Sequence, residues 1–487
     1  MGETHRGTRA NLATYAVDRF RTRSHAYVEP DERIIPNLQA CGFGHIIKVS
    51  NNTIDRKFIL ALQERWRPET HTFHLPIGEC TVTLEDVYML LGLPIDGKAV
   101  NGSVQHANSM CVRVLGRDLV EPTQGSRGQG ISLASLRAYY DELFFMDNST
   151  EEHVWLMTKV YIMLMFGKLL FPESTGNTVN FFYLSKFDSI SKIRKYSRGS
   201  AVLAMLYQSL YKNAVAEKCT FYGLAFLLQV WGWWRMPTLS PAGRNNYTFC
   251  GPKLDYSKNP RGSVVLYRDL IDHLRAEDFN WRPYLLLDHE PNESDREVWT
   301  AVVPIIRFNI VEMHQSDRVR LQFGMHQPIP DPPTDLGRWH IKRVNNQWDH
   351  TDYRTFAPEF CEMWKQRRSR LLQFPVAQLP MFPTAGYLAW YRTVTTPDMR
   401  SHGPLLLHFY TGMGGAKGKK VSMVSCSRGV EEVKKKNKEV SAGSAGPDAQ
   451  PQSSGVRVVT NVDSSETEWD KDWYQYLHSE EFARREK

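Results

Sequence analysis

Paired cysteines are missing from this sequence. Its 487 residues include 7 cysteines, an odd number, and no C-x-x-C pair. This pattern argues against a disulfide framework or a zinc ribbon and favours a reducing compartment. A secretory-type apolar run is missing at the N-terminus, and the longest uncharged apolar stretch, 219–234, is shorter than the roughly 20 residues of a membrane span. We therefore expect a soluble protein without a membrane partner.

Catalytic motifs are also missing. The chain contains no H-E-x-x-H, no G-x-S-x-G and no G-x-x-x-x-G-K-[ST] motif, and the glycine-rich stretch 412–420 has the wrong spacing for a phosphate loop. His71, His74 and Cys80 are metal-type donors. However, positions i and i+3 of a hairpin point to opposite faces, and a fourth ligand is not apparent nearby. We predict no catalytic residue, no metal site and no cofactor.

A strong excess of one charge is lacking as well. The 60 Lys+Arg against 53 Asp+Glu give a net charge of +7, too little for a dedicated nucleic-acid binder of this length. Two basic runs, at 192–198 and 366–370, are typical of solvated helix faces, although contact with phosphates stays open for both.

Helical periodicity dominates what is present, and 42% of the residues are hydrophobic. Thr83 and Asp86 have the spacing of a capping box, which predicts a helix that ends at Gly92. Two short alternating runs around 76–78 predict a hairpin before that helix. The sequence therefore predicts a mainly α fold: a large helical domain with small β-hairpin elements.

Further helices follow from apolar periodicity and from helix-starting and helix-ending residues. We predict a buried central helix over 153–171, a helix capped by Ser200, a dense apolar helix over 221–234 and a helix that starts at Pro358 and runs to about Leu371. Residues 298–308 are strand-like. The tryptophans at 231, 233 and 234 are interpreted as core residues.

Composition divides the chain into three parts. We predict a flexible basic arm over 1–30, a helical domain over 31–410 and a disordered tail over 411–487 that is first basic and then acidic. Aromatic residues at helical spacing suit a short helix near 468–484. Two lysine clusters in the tail are candidates for recognition by a nuclear-import receptor: Lys417, Lys419, Lys420, Lys434, Lys435, Lys436 and Lys438.

One long block of sequence is specific enough to compare with a known family. The string ERWRPETHTFHLPIGECTVTLEDVYMLLGLPIDGKAV at 64–100 resembles the defining block of the plant mobile domain family, to which the MAIN-like proteins belong. Further blocks agree in order, among them RIIPNLQACGF at 33–43 and WDHTDYRTFAPEFCEMWKQR at 348–367, so the resemblance covers about 33–397. The chain departs from the family pattern at Arg198, where Trp is usual, and at Trp234, where an acidic residue is usual.

The resemblance implies a nuclear plant protein. It links the chain to transposable-element silencing, genome stability and meristem maintenance, and to a partner that is a serine/threonine phosphatase-like protein. The family has no established catalytic residues to transfer. Its alternative label, "aminotransferase-like", would require a Schiff-base lysine and a phosphate cup, and neither is identifiable here.

A non-enzymatic nuclear scaffold is the function that these observations favour. On this hypothesis Trp66, Arg67, Glu69 and His71 form a partner surface, with Trp66 as the anchor and Arg67 and Glu69 as a local ion pair. The alternative for these residues is that they stabilise the junction between the hairpin and the helix. Two other functions stay open: an enzyme with pyridoxal phosphate or nuclease-like chemistry, and a nucleic-acid binder that uses the basic runs.

Overall fold

The computed structural model divides the chain into two units, 1–412 and 413–487, and describes residues of the first. The described residues are 20–22, 28–48, 54–102, 107–119, 130–146, 150–172, 176–186, 189–215, 220–240, 263–285, 287, 290–337, 339, 355–373 and 382–395. The seven tail lysines, the predicted helix near 468–484 and most of the predicted N-terminal arm lie outside these ranges.

Helices make up most of the described fold, which confirms the mainly α prediction. In chain order they are α1 Ile35–Ala40, α2 Arg56–Gln63, α3 Leu84–Leu91, α4 Ala107–Leu115, α5 Leu133–Phe145, α6 Glu151–Met165, α7 Ile190–Arg194, α8 Arg198–Val215, α9 Ala225–Arg235, α10 Val264–Asp272, α11 Glu293–Val298, α12 Pro358–Lys365 and α13 Ala385–Val394. Short 3-10 helices connect several of them, including Ser316–Arg318 and Arg367–Ser369.

The strands are short and form small sheets. They are β1 Arg21–Thr22, β2 Trp66–Arg67, β3 Thr72–Leu75, β4 Gly78–Cys80, β5 Gly130–Ser132, β6 Thr178–Asn180, β7 Thr220–Phe221, β8 Val303–Arg307 and β9 Ile310–His314. Strands β2, β3 and β4 form an antiparallel sheet, β5–β6 and β8–β9 are antiparallel pairs, and β1 pairs with β7 in parallel.

The predicted capping box starts α3. The Thr83 hydroxyl accepts the Asp86 N–H at 3.2 Å, and the Asp86 carboxylate accepts the Thr83 N–H at 2.8 Å. Gly92 ends the helix with φ 63°, a left-handed conformation in which glycine carries little strain. The helix packs against α8 and α9, so its apolar face is covered. Both predicted boundaries are therefore confirmed.

The central helix α6 continues as a π-helical turn over Phe166–Leu170, and Pro172 follows. A Cβ atom at Gly167 would come within 2.4 Å of the Leu133 side chain, so glycine permits the close approach of α5. The stretch Glu151–Leu170 is long and apolar enough to cross a membrane, but 67% of its most apolar window is buried inside the protein. Such burial is typical of the core helix of a globular protein.

Three helix boundaries differ from the prediction. Helix α8 begins at Arg198, so Ser200 lies inside it, and its hydroxyl donates to the Ser197 carbonyl at 3.0 Å. Helix α9 begins at Ala225 because the preceding Thr220–Phe221 pairs with β1. Helix α12 starts at Pro358 as predicted but ends at Lys365; the chain continues as the 3-10 helix Arg367–Ser369, and Leu371 forms a β-bridge with Ala301.

The end of the predicted flexible arm belongs to the fold. Phe20 is 1% exposed and its ring packs against Phe221, while Arg21 and Thr22 form β1. Val28 is also part of the core. The prediction of a flexible arm up to residue 30 is therefore wrong for these described residues, because tertiary pairing with β7 orders a segment that has no local periodicity.

One continuous hydrophobic core joins most of the helices. It includes Trp231 and Trp233 of α9, which are buried as predicted, and Trp234 packs at its edge. Phe73 of β3 stacks on Trp231 with ring centroids 5.2 Å apart. The core therefore reaches the hairpin that precedes α3.

Candidate functional site

The block that carries the family resemblance folds as a hairpin leading into a helix, and we call residues 66–86 the hairpin junction. Trp66 of β2 pairs with Phe73 of β3, and β3 pairs with β4. The Trp66 side chain has no solvent exposure; its ring lies 5.0 Å from Phe73 and 4.9 Å from Tyr207, between centroids. Trp66 therefore anchors the core.

The predicted partner surface is thus wrong for three of its four residues. Trp66, Arg67 and His71 are buried, because strand pairing turns this segment inward under α8, and only Glu69 is exposed. The Arg67 guanidinium donates to the carbonyls of Glu64 and Trp66, and burial lowers its pKa, a shift that the nearby charge of Glu69 opposes.

His71 joins the hairpin junction to β9. It adopts φ 54°, a left-handed conformation that is uncommon outside glycine, and its Nε2 lies 3.0 Å from Glu312 Oε2. The imidazole stacks on Tyr207, and the His71 carbonyl accepts the Thr81 hydroxyl at 2.8 Å. Contacts on both ring and backbone hold this conformation in place.

Glu79 is the centre of a second buried group. Arg318 donates to both of its carboxylate oxygens at 2.7 Å, and the Thr72 hydroxyl donates to it at 2.8 Å. His74 lies 3.9 Å from the same carboxylate, and its Nδ1 is 2.6 Å from the Thr395 hydroxyl. The forked guanidinium geometry matches a carboxylate, so this pair fixes the 3-10 helix Ser316–Arg318 on the hairpin.

Asp86 is the centre of a third group, and its role extends well beyond capping. One carboxylate oxygen accepts Arg235 Nη2 and the Tyr284 hydroxyl, each at 2.6 Å, and the other accepts the Thr83 N–H and hydroxyl at 2.8 Å. Arg235 also donates to the Trp281 carbonyl. Asp86 and Arg235 have no solvent exposure. A buried charge pair with all of these hydrogen bonds is costly to break.

Two buried titratable groups lie beside Asp86. Burial raises the pKa of Glu85 to about 7, although the charges of Arg235 and Arg282 oppose the rise. Burial lowers the pKa of His314 to about 4. His314 Nδ1 donates to the Ala301 carbonyl and Nε2 accepts the Leu84 N–H, which is the arrangement of a neutral imidazole.

Two more ion pairs fasten the chain just before the junction to α10. Arg268 donates to both oxygens of Glu64, at 2.7 and 2.5 Å, and Arg65 pairs with Asp272. These partners lie about two hundred residues apart in sequence. The sequence did not predict these two ion pairs, nor the roles of Arg318 and Arg235. Only Arg235 had a sequence feature that could have indicated its role, namely a charged residue at the end of a dense apolar helix, α9.

The hairpin junction contains residue types that can act as general acids or bases, but the placement of their side chains suits a structural role. A general acid or base must reach a proton on a substrate, whereas Glu79, Asp86 and Glu312 are buried against Arg318, Arg235 and His71. Within the described ranges, moreover, no three or more His, Cys, Asp or Glu side chains are placed to hold a metal ion. This burial agrees with the alternative interpretation, that the block stabilises the hairpin-to-helix junction.

Comparison with known proteins decides the family. The model of the plant mobile domain matches residues 42–392, which is most of the chain and contains the whole hairpin junction. The chain belongs to the plant mobile domain family. The resemblance recognised at 64–100 is thereby confirmed.

Named relatives of this plant mobile domain protein come from Arabidopsis thaliana. The chain is 32% identical to "Serine/threonine-protein phosphatase 7 long form homolog" over 75% of its own length, 30% identical to "Protein MAIN-LIKE 2" over 74%, and 26% identical to "Protein MAINTENANCE OF MERISTEMS" over 74%. It spans 28% of the first relative, 54% of the second and 74% of the third. No solved structure matches the chain.

Proposed function

We propose that this plant mobile domain protein is a non-enzymatic interaction scaffold of the nucleus. The observation that carries the proposal concerns the ionisable side chains of residues 64–100, the block that carries the family resemblance. They form buried pairs that join β-hairpins, α9 and α10 into one body. A rigid body of this kind suits the presentation of surfaces to partners.

The names of two relatives support part of the biological setting that we propose. One is named for the maintenance of meristems and another as a long-form homologue of a serine/threonine phosphatase. We propose that the chain acts in transposable-element silencing, genome stability and meristem maintenance, with a serine/threonine phosphatase-like protein as its nuclear partner.

Calorimetric titration of the purified full chain into the Arabidopsis phosphatase 7 long form homologue tests the partner. We expect saturable binding. Glu69→Arg, at the exposed rim of the hairpin junction, should weaken binding at least about tenfold, whereas Glu290→Arg, an equally drastic change at another exposed site, should not. Absence of binding heat would contradict the proposal that this protein is the partner. Equal effects of the two variants would contradict the proposal that the partner contacts the rim of the hairpin junction.

An absorbance spectrum of the purified chain tests the proposal that the protein is not a pyridoxal-type enzyme. We expect no Schiff-base band, and borohydride treatment should leave the mass of every lysine peptide unchanged. A stoichiometric band that borohydride abolishes would establish a pyridoxal-type cofactor and contradict the scaffold proposal.

A further inference from the structure

Two basic runs that are distant in sequence lie on either side of one short segment, Asp96–Lys98. On one side, the Lys98 N–H donates to the Lys195 carbonyl at 2.7 Å, and the Ser197 N–H donates to the Lys98 carbonyl at 2.9 Å. A parallel β-bridge joins Lys98 to Tyr196. The run 192–195 is therefore fixed directly beside this segment.

The second run lies on the other side of the same segment. The Trp364 indole N–H donates to the Gly97 carbonyl at 3.0 Å, and Arg367 donates to Asp96 at 2.6 Å. Arg368 also donates to Asp96, at 2.8 Å, and to Glu297 at 2.8 Å. Tertiary packing thus brings residues 365–370 and 192–195 to one place, and two arginines neutralise the single carboxylate of the segment.

Four further cations of these segments are exposed, and we call them the basic face: Lys98, Arg194, Lys195 and Arg370. Within the described part of the chain, none of these four side chains forms an ion pair or a hydrogen bond. Arg198, which belongs to the first run in sequence, is excluded from the face. It is 3% exposed, its guanidinium lies 4.5 Å from the centre of the Phe43 ring, and it donates to the Ile193 carbonyl.

We propose that the basic face binds the phosphodiester backbone of a nucleic acid. Exposed lysines and arginines without carboxylate partners attract phosphates, and each contact releases counterions. The exposed large hydrophobic residues of the described chain lie elsewhere, none of them in 94–102, 189–198 or 358–373. A protein interface needs buried aromatic or aliphatic anchors, whereas phosphate contacts need none, so the face fits a nucleic acid better than an acidic protein.

Fluorescence anisotropy with a DNA duplex and an RNA strand of equal length tests the proposal on the full chain. The face variant replaces Lys98, Arg194, Lys195 and Arg370 with Gln. We expect its affinity to fall at least about tenfold at low salt, and the slope of log affinity against log salt to become shallower by about 0.9 per lost contact with duplex DNA. The two probes show which nucleic acid is preferred.

A matched control removes the same charge from other elements, by replacing Arg56, Lys57, Arg113 and Arg392 with Gln; all four are exposed. The tail lysines are present in every variant, so their contribution cancels. We expect the control to keep a salt slope close to that of wild type. Equal slopes for the face variant and the control would overturn the proposal, as would tighter binding of polyglutamate than of either nucleic acid.

A second variant tests the same face without removing a cation. Ser369 is exposed between Arg368 and Arg370, and its hydroxyl donates to the Gln366 carbonyl. Ser369→Glu places a negative charge among the cations and should weaken nucleic-acid binding several-fold, whereas Ser369→Ala should leave it unchanged. Equal affinities of the two Ser369 variants would contradict a phosphate-binding role for this face.

Discussion

At the scale of single residues, buried carboxylates hold the hairpin junction together. Asp86 illustrates the principle: its spacing from Thr83 predicts a capping box, and the structure adds Arg235 and Tyr284 to the same carboxylate. Capping uses one carboxylate oxygen of Asp86, so the second oxygen can accept hydrogen bonds from Arg235 of α9 and from Tyr284, which follows α10. One residue therefore couples local helix formation to long-range packing.

Asp86→Ala should lower the free energy of unfolding by about 3–5 kcal/mol, because it leaves the Arg235 charge buried without its partner. Asp269→Ala provides the control: Asp269 is half-exposed and faces His273 at 3.6 Å, so its loss should cost less than about 1 kcal/mol. Urea unfolding monitored by circular dichroism measures both. Similar losses for the two variants would mean that the buried pair does not stabilise the junction.

Glu85 gives a prediction for pH dependence. Its folded pKa, about 7, lies above the unfolded value of 4.5, so its contribution to stability is full below pH 4.5 and is lost as the pH rises through 7. The shift corresponds to roughly 3 kcal/mol. The free energy of unfolding of Glu85→Gln should equal that of wild type near pH 4.5 and exceed it by up to roughly 3 kcal/mol near about pH 8. Urea unfolding across this pH range measures the difference. A constant difference between the two proteins across the pH range would contradict a titrating Glu85.

The contribution of His314 to stability changes with pH in the opposite direction to that of Glu85. Its folded pKa, about 4, lies below the unfolded value of 6.5, so its contribution is full above pH 6.5 and is lost as the pH falls towards 4. The two groups lie close to Asp86 and partly offset each other, which is why Glu85→Gln must be compared with wild type at each pH.

At the scale of elements, caps and close approaches decide where helices end. Gly92 has φ 63°, and a Cβ atom there would lie 2.5 Å from the His45 ring. Glycine is therefore needed for two reasons, the left-handed backbone and the absence of a side chain. The sequence indicates the first of these through the position of Gly92 after an apolar helix, and only the structure reveals His45.

Gly92→Ala should lower the free energy of unfolding by at least about 1–2 kcal/mol, from backbone strain alone. Gly386→Ala is the matched control: this glycine lies in the first turn of α13, a Cβ atom would meet nothing within 4 Å, and the change should stabilise the protein by up to about 1 kcal/mol. Thermal unfolding distinguishes the two. A Gly92→Ala protein as stable as Gly386→Ala would show that neither reason applies.

At the scale of the whole molecule, we predict that the tail directs the chain to the nucleus. The tail clusters, Lys417, Lys419, Lys420, Lys434, Lys435, Lys436 and Lys438, are the nuclear-import candidates. Replacing all seven with Gln in a fluorescently tagged chain should reduce nuclear accumulation in plant cells several-fold, because import receptors read positive charge. The seven-fold Lys→Arg variant keeps the charge and should stay nuclear. Nuclear accumulation that survives the Gln changes would place the signal elsewhere.

Local patterns determined much of this protein. The mainly helical class, the start and end of α3, the hairpin around 76–78, the burial of Trp231 and Trp233, and the family all followed from periodicity, turn residues and motif blocks. These features depend on neighbours within about one or two turns of chain, so the sequence contains the information directly.

Tertiary structure alone decided which side of the family block faces solvent. Trp66, Arg67 and His71 turned out to be core residues, and the partners of Glu64, Glu79 and Asp86 come from α10, the 3-10 helix Ser316–Arg318 and α9. The same packing drew β1 into the fold and assembled the basic face from two distant runs. Such pairings depend on which elements meet in space. A charged residue in sequence has the same appearance whether it ends in a buried pair or in solvent, because only its distant neighbours distinguish the two.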